Sequence, residues 1–245
     1  MDQQTTSFYV LDAGNTRVKI AEFQSDALVN VHVFEVSQKE ELLAYLSKIK
    51  SDNSLFSGVV SSDYLTHLAE KWTPTLVLSS STSLPISLEK YLTKETLGVD
   101  RIANAVAGHH YANGKPALII DAGTCLKFDF VDADGNYLGG SIAPGVRLRF
   151  KGMNDYTANL PLIDDYSSTP LIGDATKTSL TSGVINGMTA EINGFIEEYK
   201  QQFPQLTIFL TGGDAILFDK ALKSSIFVDR NFTLKGLFLI LKHNV

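Results

Sequence analysis

Two short segments of this chain repeat each other, and that repeat limits what the chain can fold into. Phe8-Tyr9-Val10-Leu11-Asp12-Ala13-Gly14-Asn15 is matched by Leu118-Ile119-Ile120-Asp121-Ala122-Gly123-Thr124, with Asp121 lying 109 residues beyond Asp12. In both copies an apolar run of strand character enters Asp-Ala-Gly, a small polar residue follows, and a second strand-like run begins. Internal self-similarity of this kind predicts two similar α/β domains. The division is expected near residues 109–115, giving domains over 1–110 and 111–245 whose repeated turns face a shared cleft.

The surrounding pattern agrees with that reading. Apolar runs predict strands over residues 8–11, 18–23, 28–36, 56–60, 117–120, 126–131, 137–142 and 206–210. Asp134-Gly135 predicts a hairpin between two of them. Helical spacing or composition predicts helices over 39–50, 64–72, 100–111, 182–202 and 215–222, and the Ser/Thr-rich stretch 79–85 reads as a loop.

Bulk composition excludes several classes of function. The 245 residues are 44% hydrophobic, enough for a packed core. The formal charge is −6, so nucleic acid is not an expected partner, because phosphate-backbone binding needs clustered Lys and Arg. Residues 1–7 are polar and do not read as a signal peptide. The apolar stretch 237–241 is far too short to span a bilayer, so no membrane association is expected. The single cysteine, Cys125, has no intrachain partner for a disulfide, which suits a reducing cytoplasm.

The repeated turns have the chemistry of a phosphate site. A glycine in a tight strand–turn–strand lets backbone N–H groups converge with no Cβ in the way, and such a concavity binds phosphate oxygens. Asn15 and Thr16 in the first copy, and Thr124 in the second, add polar donors. The leading carboxylates, Asp12 and Asp121, make sense there if a cation offsets their charge. Lys19 brings a positive charge to the first turn or is a solvated strand lysine. Thr211-Gly212-Gly213-Asp214 offers a flat backbone approach suited to an adenosine; the plainer alternative is a strand-to-helix turn with Asp214 as N-cap. Asp100 and Arg101 open a helix. A carboxylate there stays ionised and can accept a proton, and the guanidinium can hold a substrate carboxylate. A capped surface helix with a local ion pair is the alternative.

Together these segments resemble the type III pantothenate kinases, within the superfamily of acetate and sugar kinases, heat-shock ATPases and actin. Asp12-Ala13-Gly14-Asn15-Thr16-Arg17-Val18-Lys19 is similar to the family's D-x-G-N-T-x-x-K motif, and Gly98-Val99-Asp100-Arg101 to its G-x-D-R motif. Asp121-Ala122-Gly123-Thr124 resembles its second phosphate motif, and Gly139-Gly140-Ser141-Ile142-Ala143-Pro144-Gly145 the turn after it. The resemblance implies two ribonuclease H-like domains with mixed sheets flanked by helices. It also implies ATP-dependent phosphorylation of pantothenate, the first step of coenzyme A biosynthesis.

The same resemblance assigns roles residue by residue. Asp12, Ala13, Gly14, Asn15, Thr16, Arg17, Val18, Lys19, Thr124, Gly212 and Gly213 are expected to contact ATP. Tyr91, Gly98, Val99, Asp100, Arg101 and Thr176 are expected to contact pantothenate, with Asp100 as the base. Asp12 is expected to serve Mg2+, and Asp121 a monovalent cation, K+ or NH4+. A cytoplasmic homodimer is implied. Three departures stand out: Ala175 where the family has Asn, Lys127 where it has a small or apolar residue, and the basic pair Arg147 and Arg149. The rival readings are another small-metabolite kinase of the superfamily and a non-catalytic nucleotide-binding regulator. Chaperones and filament ATPases of the actin type need more chain than is present here.

Overall fold

A computed structural model describes residues 6–14, 16–49, 52–58, 68, 70–79, 81–166 and 169–245. The chain divides into two units, Met1–His110 with Phe232–Val245, and Tyr111–Asn231.

In the first unit, β1 (Ser7–Ala13), β2 (Arg17–Gln24) and β3 (Ala27–Glu35) form an antiparallel meander. Helix α1 (Lys39–Leu46) follows and ends four residues before the expected residue 50. Strand β4 (Ser54–Gly58) then lies parallel to β1, and the short β5 (Leu76–Val77) parallel to β4. The sheet order is β3-β2-β1-β4-β5. Residues 59–60 of the expected strand and most of the expected helix 64–72 lie outside the described residues; positions 68 and 70–72 are helical. Helix α2 (Val99–Tyr111) closes the run.

The second unit repeats the plan. Strands β6 (Ala117–Ala122), β7 (Cys125–Val131) and β8 (Tyr137–Pro144) are antiparallel neighbours. Helix α3 (Val146–Asp155) follows. A helical run then comprises α4 (Thr176–Thr181), a π-turn (Ser182–Asn186) and α5 (Gly187–Gln202). Strand β9 (Thr207–Thr211) is parallel to β6, and β10 (Phe227–Val228) parallel to β9, with α6 (Ala215–Phe218) between them. The order β10-β9-β6-β7-β8 is the first sheet's order over again. Each sheet is three antiparallel strands followed by two parallel ones, the mixed sheet of a duplicated ribonuclease H-like fold.

Each unit has its own core. Leu11, Val18, Ile20, Leu42, Phe56 and Leu68 cluster in the first. Leu118, Ile120, Phe128, Phe150, Met188, Ile192 and Ile196 cluster in the second. All six residues of β6 are buried, which explains why Leu118-Ile119-Ile120 reads as a continuous apolar run with no alternation.

The last helix, α7 (Phe232–Asn244), departs from the expected division at 111–245. It packs on β1 and β4, so the end of the chain belongs to the first unit. Phe238 stacks on Phe23 with centroids 4.1 Å apart and meets Phe8 edge-on at 5.6 Å. Gly236 sits so close to α2 that a Cβ would overlap the Ala103 carbonyl. Lys242 pairs with Asp26 at 2.7 Å, and Asn244 donates to the Ser83 carbonyl at 3.0 Å.

Candidate active site

The register of the two sheets repeats a row of side chains at the repeated turns. In the first unit Lys19 on β2 lies opposite Asp12 on β1, which lies beside Ser57 on β4. In the second, Lys127 on β7 lies opposite Asp121 on β6, beside Thr211 on β9. Residues paired in register present their side chains on the same face of a sheet. Each unit therefore carries a lysine–carboxylate–hydroxyl row where its central strand runs out into the Asp-Ala-Gly turn. Ser57 and Thr211 are buried, and their hydroxyl oxygens have no hydrogen-bond partner among the described residues.

The first turn is closed by the Gly14 N–H donating to the Arg17 carbonyl at 2.9 Å. Gly14 and Thr16 are exposed, Asp12 and Lys19 half-buried, and Asn15 lies outside the described residues. Ala13 and Val18 are buried in the core, so their side chains are closed to a ligand. The Arg17 side chain is engaged along the sheet, its Nε donating to Glu35 Oε1 at 2.9 Å.

In the second turn the Gly123 N–H donates to the Cys125 carbonyl at 3.1 Å, and Thr124 is exposed. Two glycine turns pack on it. Gly145 donates to the Thr124 carbonyl at 3.1 Å, and a Cβ at Gly145 would overlap the Gly123 carbonyl. Gly212 has φ +99°, and its missing Cβ would lie 2.6 Å from Asp121 Oδ1 and overlap the Ala122 carbonyl. Asp214 N–H donates to that Ala122 carbonyl at 2.9 Å. Only glycine meets both demands at 212. Gly213 has open space where its Cβ would be.

Asp214 stands at the head of α6 but makes no side-chain cap, and that helix stops at Phe218, not at the expected residue 222. Burial raises its carboxyl above the ordinary 3.8. Tyr166 nearby is also raised, first by burial, then by the Asp214 charge, while Arg147 opposes the shift.

Asp100 is in the first turn of α2, where its Oδ1 accepts from the Arg101 backbone N–H at 2.9 Å. The carboxylate folds back over Gly98: a Cβ there would lie 2.6 Å from Asp100 Oδ1. Glycine at 98 and aspartate at 100 therefore act as one feature. Arg101 is buried, with 6% of its surface exposed, and Tyr91 is half-buried. In the second unit Thr176 is exposed at the start of α4. Thr178 closes that turn, its Oγ1 accepting from Ala175 N–H at 2.9 Å and Asp174 N–H at 3.1 Å.

Two basic residues that the sequence leaves without a role acquire local partners. Arg149 Nε donates to the Pro144 carbonyl at 2.8 Å, and its Nη2 pairs with Glu191. It thus ties the Pro144-Gly145 turn to α5. Lys127 Nζ lies 2.7 Å from Asp121 Oδ2, with both side chains largely buried. The signal in the sequence was their departure from the family pattern; their partners are visible only in the fold. Among the described residues no group of three His, Cys, Asp or Glu side chains is placed to hold a metal ion.

The fold is shared with a Baf-family protein from Campylobacter jejuni (TM-score 0.65, 18% identity, covering 97% of this chain and 98% of that one). It is shared also with a ROK hexokinase from Thermus thermophilus (TM-score 0.52, 13% identity, 96% and 98% covered). Type III pantothenate kinases are much nearer in sequence. That of Christiangramia forsetii is 42% identical over 238 residues, covering 96% of this chain and 98% of the relative. That of Phocaeicola vulgatus is 39% identical over 237 residues, with the same coverage. The family model for type III pantothenate kinase matches residues 8–198, and the chain belongs to that family.

Proposed function

We propose that this enzyme transfers the γ-phosphoryl group of ATP to the primary hydroxyl of pantothenate, giving 4'-phosphopantothenate for coenzyme A biosynthesis. The observation that carries the reading is the 39–42% identity, over 96% of the chain, to relatives named type III pantothenate kinase. The placement of Asp100 supports it. Its carboxylate is fixed over Gly98 at a helix N-terminus beside a buried guanidinium.

In this reading the Asp100 carboxylate takes the proton of the pantothenate hydroxyl. The hydroxyl oxygen bonds to the γ-phosphorus, and the bond to the β-bridging oxygen breaks, its electron pair leaving on ADP. Arg101 and Tyr91 orient the acid through its carboxylate and amide, and Thr176 is a further residue proposed to bind it. Gly14, Thr16, Lys19 and Thr124 hold phosphate oxygens, while Gly212 and Gly213 hold the adenosine. Most of the catalysis in such transfers comes from positioning and charge stabilisation.

Mg2+ would neutralise charge on the transferring phosphates. It commonly takes one or two carboxylates plus phosphate oxygens rather than a full protein cage, and the half-buried Asp12 fits that requirement. A homodimer is part of the same proposal. Leu171 and Ile172, 81% and 84% exposed, are apolar surface that a second copy would cover. Sedimentation showing only monomer at micromolar protein would remove that part. No helix among the described residues is long and apolar enough to cross a membrane, and the proposed setting is the cytoplasm, where ATP is available.

The test is ATP consumption with pantothenate as acceptor, with the phosphorylated product identified by mass. Glucose, acetate and glycerol serve as competing acceptors. Consumption that ignores pantothenate, or that is faster with a sugar, would sink this reading. Tight nucleotide binding with no turnover on any acceptor would favour a non-catalytic regulator.

A further inference from the structure

The second repeated turn carries its own counter-ion. The carboxylate of Asp121 sits where β6 runs into the Gly123 turn, directly beneath Gly212. A bare carboxylate in that place would repel any phosphate brought to the turn. The resemblance to the family implies a free potassium or ammonium ion there. The residues present fit that expectation poorly, because Asp121 Oδ2 already has the Lys127 ammonium at 2.7 Å.

We infer that Lys127 Nζ takes the place of the dissociable monovalent cation, so that this enzyme is independent of potassium. The inference rests on the reading of residues 121–124 as a phosphate turn. A primary ammonium is chemically an ammonium ion on a tether. It offers one positive charge and N–H donors to the same oxygens that a free cation would contact. The tether removes the dependence on cation concentration, because the partner is always present at a high effective concentration.

Three observations support this assignment over an incidental surface pair. Both partners are largely buried, with 14% and 12% of the side chains exposed, so the pair is far less screened than a surface ion pair. The two residues are opposed in register across β6 and β7, so the backbone itself sets their spacing. The same row ends on Thr211, whose buried hydroxyl oxygen has no hydrogen-bond partner among the described residues. If the ammonium is removed, Asp121 and Thr211 leave an oxygen-lined position of the hard-donor kind that suits a free alkali cation. Lys127 is thus a positioning residue for the nucleotide rather than a group that reacts.

The experiment compares wild type and Lys127→Ala in choline, sodium, potassium and ammonium chlorides at matched ionic strength. Two quantities are read: affinity for a non-hydrolysable ATP analogue with Mg2+, and melting temperature without ligand. Wild type should be flat across the four salts in both. Lys127→Ala should bind the analogue about fivefold or more weakly in choline, a coupling of ordinary size, and recover in potassium or ammonium. Its melting temperature should rise with the same two ions. Wild-type affinity or melting temperature that rises with potassium overturns the inference. So does a variant that equals wild type in choline, or one whose loss no cation repairs. Lys127→Met keeps the buried stem and drops the charge. If the alanine variant does not fold, Lys127→Met must show the loss in choline, and wild-type-like binding by it is equally fatal. Failure of the functional reading looks different: no pantothenate-dependent turnover in any salt, whatever the melting series shows.

Discussion

At the scale of single residues, Asp100 separates catalysis from architecture. Asparagine keeps its size and can still accept the Arg101 N–H bond, but it cannot take a proton. Asp100→Asn should lower turnover by roughly 10²–10⁴-fold, the usual range for a general base. The lost helix-end charge costs only about 0.3–1 kcal/mol, so folding and nucleotide affinity should survive. Near-normal turnover with a small stability loss would make Asp100 a helix cap and nothing more. Asp214 gives a pH prediction with a definite sign. Burial raises its folded carboxyl above the ordinary 3.8, so the ionised form is the one that weakens the fold. That penalty is absent below the unfolded value, where the group is protonated in both states. It is fully present above the folded value. Asp214→Asn should therefore raise the melting temperature at neutral pH, with the gain shrinking as pH falls towards 4. A gain that stays constant from pH 8 to pH 4 would contradict the assignment. The turn geometry at Asp12-Ala13-Gly14, Gly98-Val99-Asp100 and Gly212-Gly213 was legible from motif spacing because each feature lies within one turn. The pairing of Lys127 with Asp121 is across strands, and spacing alone does not distinguish it from a solvated strand lysine.

At the scale of elements, the eight expected strands read well because their apolar runs are short and bounded by turn residues, and their ends agree with expectation to within two residues; the two-residue β5 and β10 are too short to show a pattern. The helices read worse, for identifiable reasons. Helix α7 buries Phe232, Leu234, Leu237, Phe238, Ile240 and Leu241, so apolar residues cover most of its circumference and the period disappears. Helix α3 has the opposite problem: only Val146 and Phe150 of its ten residues are buried, and charged or amide residues interrupt the apolar spacing. The run 176–202 begins earlier than the expected residue 182, because Thr-rich α4 has weak helix propensity and is held by Thr178. Two helical glycines make contrasting predictions. In α5, Gly194 has nothing within 4 Å of where its Cβ would be, so Gly194→Ala should stabilise by about 0.8–1 kcal/mol from propensity. Gly236 in α7 would gain the same propensity, but its Cβ would overlap the backbone of Ala103. Backbone does not yield as a side chain does, and overpacking typically costs about 1–3 kcal/mol. Overlap should therefore win, and Gly236→Ala should be the less stable variant in urea unfolding. Opposite signs for the pair test the α2–α7 contact directly; equal gains would show that it is looser than described.

At the scale of the whole molecule, the duplicated sheet hides an unequal division of the chain. The sequence repeat predicts two halves that each own a continuous segment, and the second unit does, over Tyr111–Asn231. The first unit is completed only by α7, which arrives after the second unit has been made. What the repeat could not convey is where a helix outside both copies would dock, since that depends on Phe238 finding Phe8 and Phe23 more than 200 residues away. This gives a fragment prediction. Residues 111–231 keep β6 to β10, α3 to α6 and the cluster around Leu118, Phe128 and Ile192, so all the core-forming contacts of that unit are local to the piece. They should unfold cooperatively when expressed alone. Residues 1–110 keep their sheet but lose the helix that covers β1 and β4, exposing Phe8 and Phe23 and the α2 surface around Ala103. A small domain stripped of a whole helix face lacks the buried apolar area to offset its chain entropy. That fragment should bind a hydrophobic dye and show no sharp thermal transition, and adding residues 232–245 as a separate peptide should restore one. Cooperative unfolding of 1–110 without the helix would show that α7 is not needed to complete the first unit, and a 111–231 fragment with no cooperative transition would show that the second unit does not stand on its own core.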